Sequence, residues 1–263
     1  RDVMHKDLIT VSEQQDQESV SRVIDTHKLI AVPVLDADGR MKGIVTVDDI
    51  VDVVREEATE DIQKIGGTRA LDAPYLQVGL FEMVRKRAAW LVVLFVGELL
   101  TASAMAFYQD RIARALVLAL FIPLIISSGG NAGSQATTLV IRAMGMGEVR
   151  LRDWWRVFRR ELLVGCCLGL ILGVIGLLRV LLWPARHTLY GEYFVRIGAA
   201  VSISVVGVVL WGSLAGSMLP FLLRRLGFDP ASASAPFVAT LVDVTGLVIY
   251  FSVATMLLTG TLL

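Results

Sequence analysis

Five stretches of the chain, about 88–108, 115–141, 161–183, 195–222 and 236–263, stay apolar for roughly twenty residues or more, the length a helix needs to cross a bilayer. Backbone in hydrocarbon must satisfy its own N–H and C=O groups, so runs of this kind leave the chain little choice but membrane helices. The composition agrees, since 55% of the residues are hydrophobic and the apolar residues gather after Trp90. Basic and acidic residues balance at 25 each. That balance argues against nucleic acid as a partner, and the placing of the charges matters more than their sum.

Arg142, Arg150, Arg152, Arg156, Arg159 and Arg160 crowd one loop, Arg224 and Arg225 lie in another, and Arg85, Lys86 and Arg87 precede the first span. These clusters alternate with loops poorer in basic residues. The positive-inside rule then sets the N-terminal part and the Arg-rich loop in the cytoplasm and the C-terminus outside, as in a multi-pass protein of a bacterial inner membrane. Trp154, Trp155 and Trp183 fit interfacial belts in contact with membrane lipid. Cys166 and Cys167 are adjacent within a span and read as small apolar fillers. The chain opens at Arg1, already polar and patterned and with no leader, which predicts a fragment of a longer protein.

Residues 1–57 read as a soluble α/β unit. Leu29–Leu35 is a short strand pattern, Asp36-Ala37-Asp38-Gly39 a turn, Gly43–Val47 a second strand, and Asp48–Val54 turns to helical spacing. Residues 58–87 connect this unit to the membrane part, residues 88–263. The connection is interrupted at Gly66-Gly67 and at Asp72-Ala73-Pro74. Pro74 suits the first turn of a new interfacial helix with Leu76, Leu80, Met83 and Val84 on one side. The fold class expected is therefore a multi-domain membrane protein: a soluble α/β domain, linking helices, and an all-α domain of five transmembrane helices.

Two spans carry chemistry. The second holds Pro123 and then Ser127-Ser128-Gly129-Gly130-Asn131-Ala132-Gly133-Ser134-Gln135. Proline removes a donor and glycines permit turns, which predicts a break near mid-membrane with carbonyls exposed toward a pathway; close helix packing through small residues is the competing reading. The fifth span holds Asp243, the only charged residue after Pro230. A carboxylate at such depth costs about 2.5–3.5 kcal/mol on insertion scales and marks an ion or proton pathway. Ala239 is four residues before it and shares its face, and Gly246 lies three beyond. Oxygen ligands without thiolate or imidazole suit hard divalent cations such as Mg²⁺; none of the three histidines, His5, His27 and His187, is near in sequence. Glu98, inside the first span, is open to three readings: service on an ion route, pairing with an arginine of another helix, or a neutral hydrogen-bonded group.

These residues resemble known families. Val3–Val11, Val32–Asp36 and Gly43–Asp49 follow the order of a cystathionine-β-synthase (CBS) domain, the second of a pair. With the acidic run Glu56–Ile62, the five spans, the Gly-Gly-Asn-Ala-Gly-Ser-Gln sequence and the segments Asp229-Pro230-Ala231, Pro236-Phe237-Val238 and Asp243-Val244-Thr245-Gly246, the whole chain is similar to the MgtE family of magnesium transporters. The resemblance implies a homodimeric Mg²⁺ channel with its pore between subunits. Asp243 would hold the hydrated ion, Ala239, Gly246 and Gly130 would offer pore backbone, and Asn131 would come from the broken helix. It also implies a plug helix and closure by cytosolic Mg²⁺ at acidic groups, here Asp48, Asp52, Glu56, Glu57 and Glu60. A cation relieves repulsion among such charges and so biases a two-state arrangement, although each alone also reads as a solvated helix face. Thr46 and Asp49 match a Thr-x-x-Asp that meets ATP in nucleotide-binding CBS domains; as residues they read first as an ordinary helix cap.

Rival readings remain at this level. Co²⁺, Mn²⁺ or Ca²⁺ would meet the same oxygen ligands. A membrane-anchored CBS nucleotide sensor has no need of Pro123, the Gly-Gly-Asn run or a mid-span aspartate. An enzyme would need a nucleophile with a base, or a richer metal site, and no such set converges in the spans.

Overall fold

The computed structural model describes residues 8–260, the Arg114 side chain excepted. The CBS-like opening Val3–Asp7, with His5, lies outside the described residues. The chain divides into two compact units, Arg1–Ile62 and Gln63–Leu263.

In the first unit, β1 (Val11–Ser12), α1 (Gln17–His27), β2 (Ala31–Leu35), β3 (Met41–Thr46) and most of α2 (Val47–Ile65) follow one another. β1 pairs parallel to β2, as a strand-helix-strand crossover requires, and β3 returns antiparallel with Val32 opposite Val45. The hairpin turn rests on Asp36, whose Oδ1 accepts from the N–H groups of Asp38 (3.0 Å) and Arg40 (2.8 Å), and on Gly39 at φ +73°. Asp16 caps α1 by accepting from the Ser19 N–H at 3.3 Å. Val11, Val20, Ile24, Val32 and Ile50 close a small core between sheet and helices. The acidic run does not start a new element: α2 continues through it to Ile65.

The second unit contains α3 (Leu80–Phe107), α4 (Gln109–Arg114), a 3-10 turn (Leu116–Phe121), α5 (Ile122–Gly145), α6 (Trp154–Leu181), α7 (Arg186–Tyr190), α8 (Phe194–Arg225) and α9 (Ala235–Leu258). Five of its segments are long and apolar enough to cross a membrane: Leu80–Phe107, Leu116–Gly145, Leu151–Leu181, Arg186–Arg225 and Ala235–Leu258. α8 is the hub, packing against α5, α6 and α9, while α3 lies on α9. Valines and small residues of α8 fill the centre, and the Tyr250 hydroxyl of α9 donates to the Leu118 carbonyl (2.8 Å), satisfying a buried polar pair.

Two expectations are corrected here. α5 does not break near mid-membrane: Ser127–Gln135 is regular helix, and the irregular backbone is the 3-10 turn before Pro123, which takes an N-terminal helical position where its missing N–H costs nothing. Gly129 and Gly133 are used for contact instead. A Cβ on Gly212 would stand 2.2 Å from the Gly129 oxygen, and one on Gly216 2.2 Å from the Gly133 oxygen, so α5 and α8 touch backbone to backbone. α6 meets α8 in the same manner through Gly165, Gly169 and Gly173. The second correction concerns Pro74, which opens no helix. It belongs to a turn closed by the Gln77 N–H on the Pro74 oxygen (2.8 Å), and α3 starts only at Leu80, running without interruption into the first span.

Candidate functional site

The start of α9 is fixed from several sides. Ser234 caps it, its Oγ accepting from the Phe237 N–H (3.3 Å) and from the Trp90 Nε1–H of α3 (2.9 Å), and Pro236 occupies the first turn. Ser134 of α5 donates to the Ala235 oxygen (3.1 Å). Just upstream, Asp229 accepts from the Ala231 N–H (2.9 Å) and pairs with Lys64 at 2.6 Å. Two residues beyond Asp243, the Trp211 Nε1–H of α8 donates to Thr245 Oγ1 (2.7 Å), whose own hydroxyl bonds the Leu241 oxygen (2.8 Å). Asp243 thus sits on a helix whose start and azimuth are tied to α3, α5 and α8.

Around the carboxylate, Gly130 is decisive. A Cβ there would lie 3.4 Å from the Ala239 Cβ and 3.6 Å from Asp243 Oδ1, so the bare helix surface of α5 faces Ala239 and Asp243 together. The structure therefore brings together Asp243, Ala239 and Gly130 as the sequence predicts. Asn131 is exposed on α5 beside them, with its Nδ2 3.5 Å from Ser127 Oγ. Gly246 goes elsewhere: it is buried, its missing side chain facing Val208 of α8 at 3.1 Å and Ile126 at 3.9 Å. Along α5, Asn131, Gln135 and Thr138 are all exposed at helical spacing, and Ser134, Gln135, Thr138 and Leu139 line a groove of about 410 Å³. A polar stripe on a membrane helix faces water or protein rather than lipid.

Glu98 joins this group. Its carboxyl lies within hydrogen-bonding reach of the Asp243 carboxyl. Of the three roles open to it, pairing with an arginine is not realised among the described residues, where Glu98 forms no ion pair with a basic side chain.

In the first unit the acidic residues are spread rather than gathered. Asp48, Asp52 and Glu56 line one exposed face of α2, four residues apart, whereas Glu57 turns toward α1 and accepts from Gln17 Nε2 (2.7 Å). Glu60 lies further along the same helix and has partners of its own. Among the described residues no three His, Cys, Asp or Glu side chains converge as a preformed metal centre. Asp49 accepts at Oδ2 from the Thr46 N–H (3.0 Å) and the Thr46 hydroxyl (2.7 Å), the geometry of a helix-start box, and these bonds, the backbone one foremost, hold its carboxyl below the ordinary carboxylate range. The polar atoms that would meet ribose or phosphate are thus engaged with each other.

Sequence reasoning missed Trp90, Trp211 and Lys64 as positioning residues. The Ser-x-Pro start of α9 was the available signal for a cap, but the Trp90 partner of that cap is 144 residues away and leaves no local trace.

Comparison with known proteins bears on this geometry. A family described as "Divalent cation transporter", MgtE, matches residues 122–253, and the CBS domain family matches residues 1–56. Three curated relatives each carry the name magnesium transporter MgtE. That of Thermus thermophilus is 41% identical over 257 residues, covering 98% of this chain and 55% of its own length. That of Enterococcus faecalis is 34% identical over 255 residues, with 97% and 54% covered. That of Bacillus subtilis is 31% identical over 263 residues, again with 97% and 54% covered. The chain spans about half the length of the relatives it matches. The matched transporter region, residues 122–253, takes in α5, α8 and α9 up to Val253, with Gly130, Asn131, Ala239 and Asp243 all inside it, and with a CBS domain ahead of that region the chain belongs to the MgtE family of divalent cation transporters.

Proposed function

We propose that this chain conducts Mg²⁺ across a bacterial inner membrane, with Asp243 as the residue that holds the hydrated ion. The observation that carries the reading is the setting of Asp243. It is a carboxylate inside a membrane-spanning helix, faced by the bare backbone of Gly130 and by Ala239, and next to the polar stripe Asn131, Gln135 and Thr138 of α5. Mg²⁺ gives up its waters reluctantly and is commonly met by one or two carboxylates through them, which the Asp243 carboxylate suits. The names of the three relatives point to the same ion.

The polar stripe favours a pore formed between two copies of the chain, since it would otherwise face lipid. Arg150, Arg152, Arg156, Arg159 and Arg160 set their loop, and with it the first unit, on the cytoplasmic side. There the acidic face of α2, with Asp48, Asp52 and Glu56, is the element through which cytosolic Mg²⁺ closes the channel: at low Mg²⁺ the like charges repel, and bound cations favour the closed arrangement.

The test is growth and flux. In a transport-deficient bacterium, Asp243→Ala is expected to abolish rescue at low Mg²⁺, and in proteoliposomes to abolish Mg²⁺ entry; parental flux in that variant would overturn the reading. Entry of Ca²⁺ or Co²⁺ at the Mg²⁺ rate would assign another divalent cation to the same site.

A further inference from the structure

We propose that Glu98 of α3 is a second carboxylate of the Asp243 site and sets its strength and its preference for a doubly charged ion. This rests on the transport reading above and assigns a further residue to it. The placement comes from α3. A Cβ on Gly97 would stand 2.7 Å from Thr240 Cγ2, so α3 and α9 meet here at a distance only glycine allows. The next residue, Glu98, then reaches the Asp243 carboxyl from α3, while Gly130 of α5 faces the same carboxyl.

Two ionised carboxylates in contact inside a membrane span repel, and either a shared proton or a cation between them relieves this. Among the described residues neither has a lysine or arginine partner. A divalent cation matches both charges; a monovalent ion leaves one unmatched. In the interior, where water screens poorly, that difference is large, so the second carboxylate discriminates by valence rather than by size. The same stretch of α3 has further polar capacity: the Thr101 hydroxyl, one turn beyond Glu98, is buried with no hydrogen-bond partner among the described residues. Asp243 alone would attract a cation. With Glu98 the site becomes one that a hydrated Mg²⁺ neutralises through its water shell.

The experiment is concentration-dependent Mg²⁺ flux, with Na⁺ flux in parallel, for the full chain in proteoliposomes carrying the parent, Glu98→Gln, Glu98→Asp or Asp243→Ala. Glu98→Gln keeps shape and hydrogen bonding but removes the charge. It is expected to raise the half-saturating Mg²⁺ concentration about fivefold or more, equivalent to about 1 kcal/mol, and to lower the Mg²⁺ over Na⁺ preference. Glu98→Asp, keeping the charge one methylene further back, is expected to fall between parent and Glu98→Gln; should Glu98→Gln not assemble, a raised half-saturation with Glu98→Asp carries the same conclusion. A parental half-saturation and ion preference in the assembled Glu98 variants, with Asp243→Ala inactive, would overturn the role of Glu98 and leave the transport reading intact. A lowered maximal flux with half-saturation and preference unchanged would also overturn it, because that is the mark of a structural role alone. Flux retained by Asp243→Ala would sink both.

Discussion

Replacing Gly216 by alanine tests how α5 and α8 hold the site. The added Cβ would stand 2.2 Å from the Gly133 oxygen, 2.8 Å from the Gly133 carbonyl carbon and 2.8 Å from Thr137 Oγ1, so backbone rather than a flexible side chain must give way. Forcing a methyl group into a tight interior costs about 1–3 kcal/mol where neighbours can adjust, and the upper end applies when the obstacle is main chain. Separating the helices by about an ångström also stretches the buried bond from the Thr137 hydroxyl to the Gly216 oxygen, 2.8 Å long, whose loss adds about 1 kcal/mol. The expected total is about 3–4 kcal/mol, which for a chain of this size lowers the melting temperature by roughly 6–15 °C. The assay is thermal unfolding of the purified protein in detergent, followed by cysteine-reactive dye or by loss of the monodisperse chromatographic peak. Gly176→Ala is the matched comparison: its Cβ would meet only Val201 Cγ1, at 3.6 Å, an ordinary contact, and little change is expected. Equal melting temperatures for the two variants would refute the claim that the α5–α8 seam is made of touching backbones.

Two further expectations concern single hydrogen bonds. Tyr250→Phe leaves the buried Leu118 carbonyl without its 2.8 Å partner and should cost about 1–3 kcal/mol in the same unfolding assay, with no change in half-saturating Mg²⁺. The Asp49 carboxyl, held below its ordinary value of 3.8 by the Thr46 N–H and hydroxyl, contributes stability that is fully present above 3.8 and is lost as pH falls through the lower folded value. An NMR titration of the Thr46 amide should therefore show a midpoint below 3.8, and a midpoint at or above it would remove the cap from the account.

How much of this was legible beforehand divides along physical lines. The five spans, the sheet hairpin and the Ala239–Asp243 face follow from hydrophobic length and from the periods of strand and helix, which are local properties. The α5 break did not materialise because a glycine run has two uses. It can release backbone, or it can bring two backbones together, and only the presence of Gly212 and Gly216 on a neighbouring helix decides between them. Pro74 misled for a similar reason, since a proline that can start a helix can equally sit in a turn. Glu98 was visible as an anomaly in an apolar span, but its partner, on another helix, was not. Gly246 had the right spacing from Asp243 to be placed beside it, and the packing of Val208 turned that spacing to a different use.

The contacts of Gly129 with Gly212 and of Gly133 with Gly216 restrict how this protein can move. Where two main chains touch, neither helix can slide by a residue or turn by the roughly 100° that separates successive side chains without driving a Cβ into a carbonyl. α5 and α8 therefore travel as one strut, and Gly130 and Asn131 are carried on it as on a fixed rail. Any widening beside Asp243 has to come from α3 or α9 moving against that strut, and α3 is held to α9 by the Trp90–Ser234 hydrogen bond as well as by the close approach of Gly97 to Thr240.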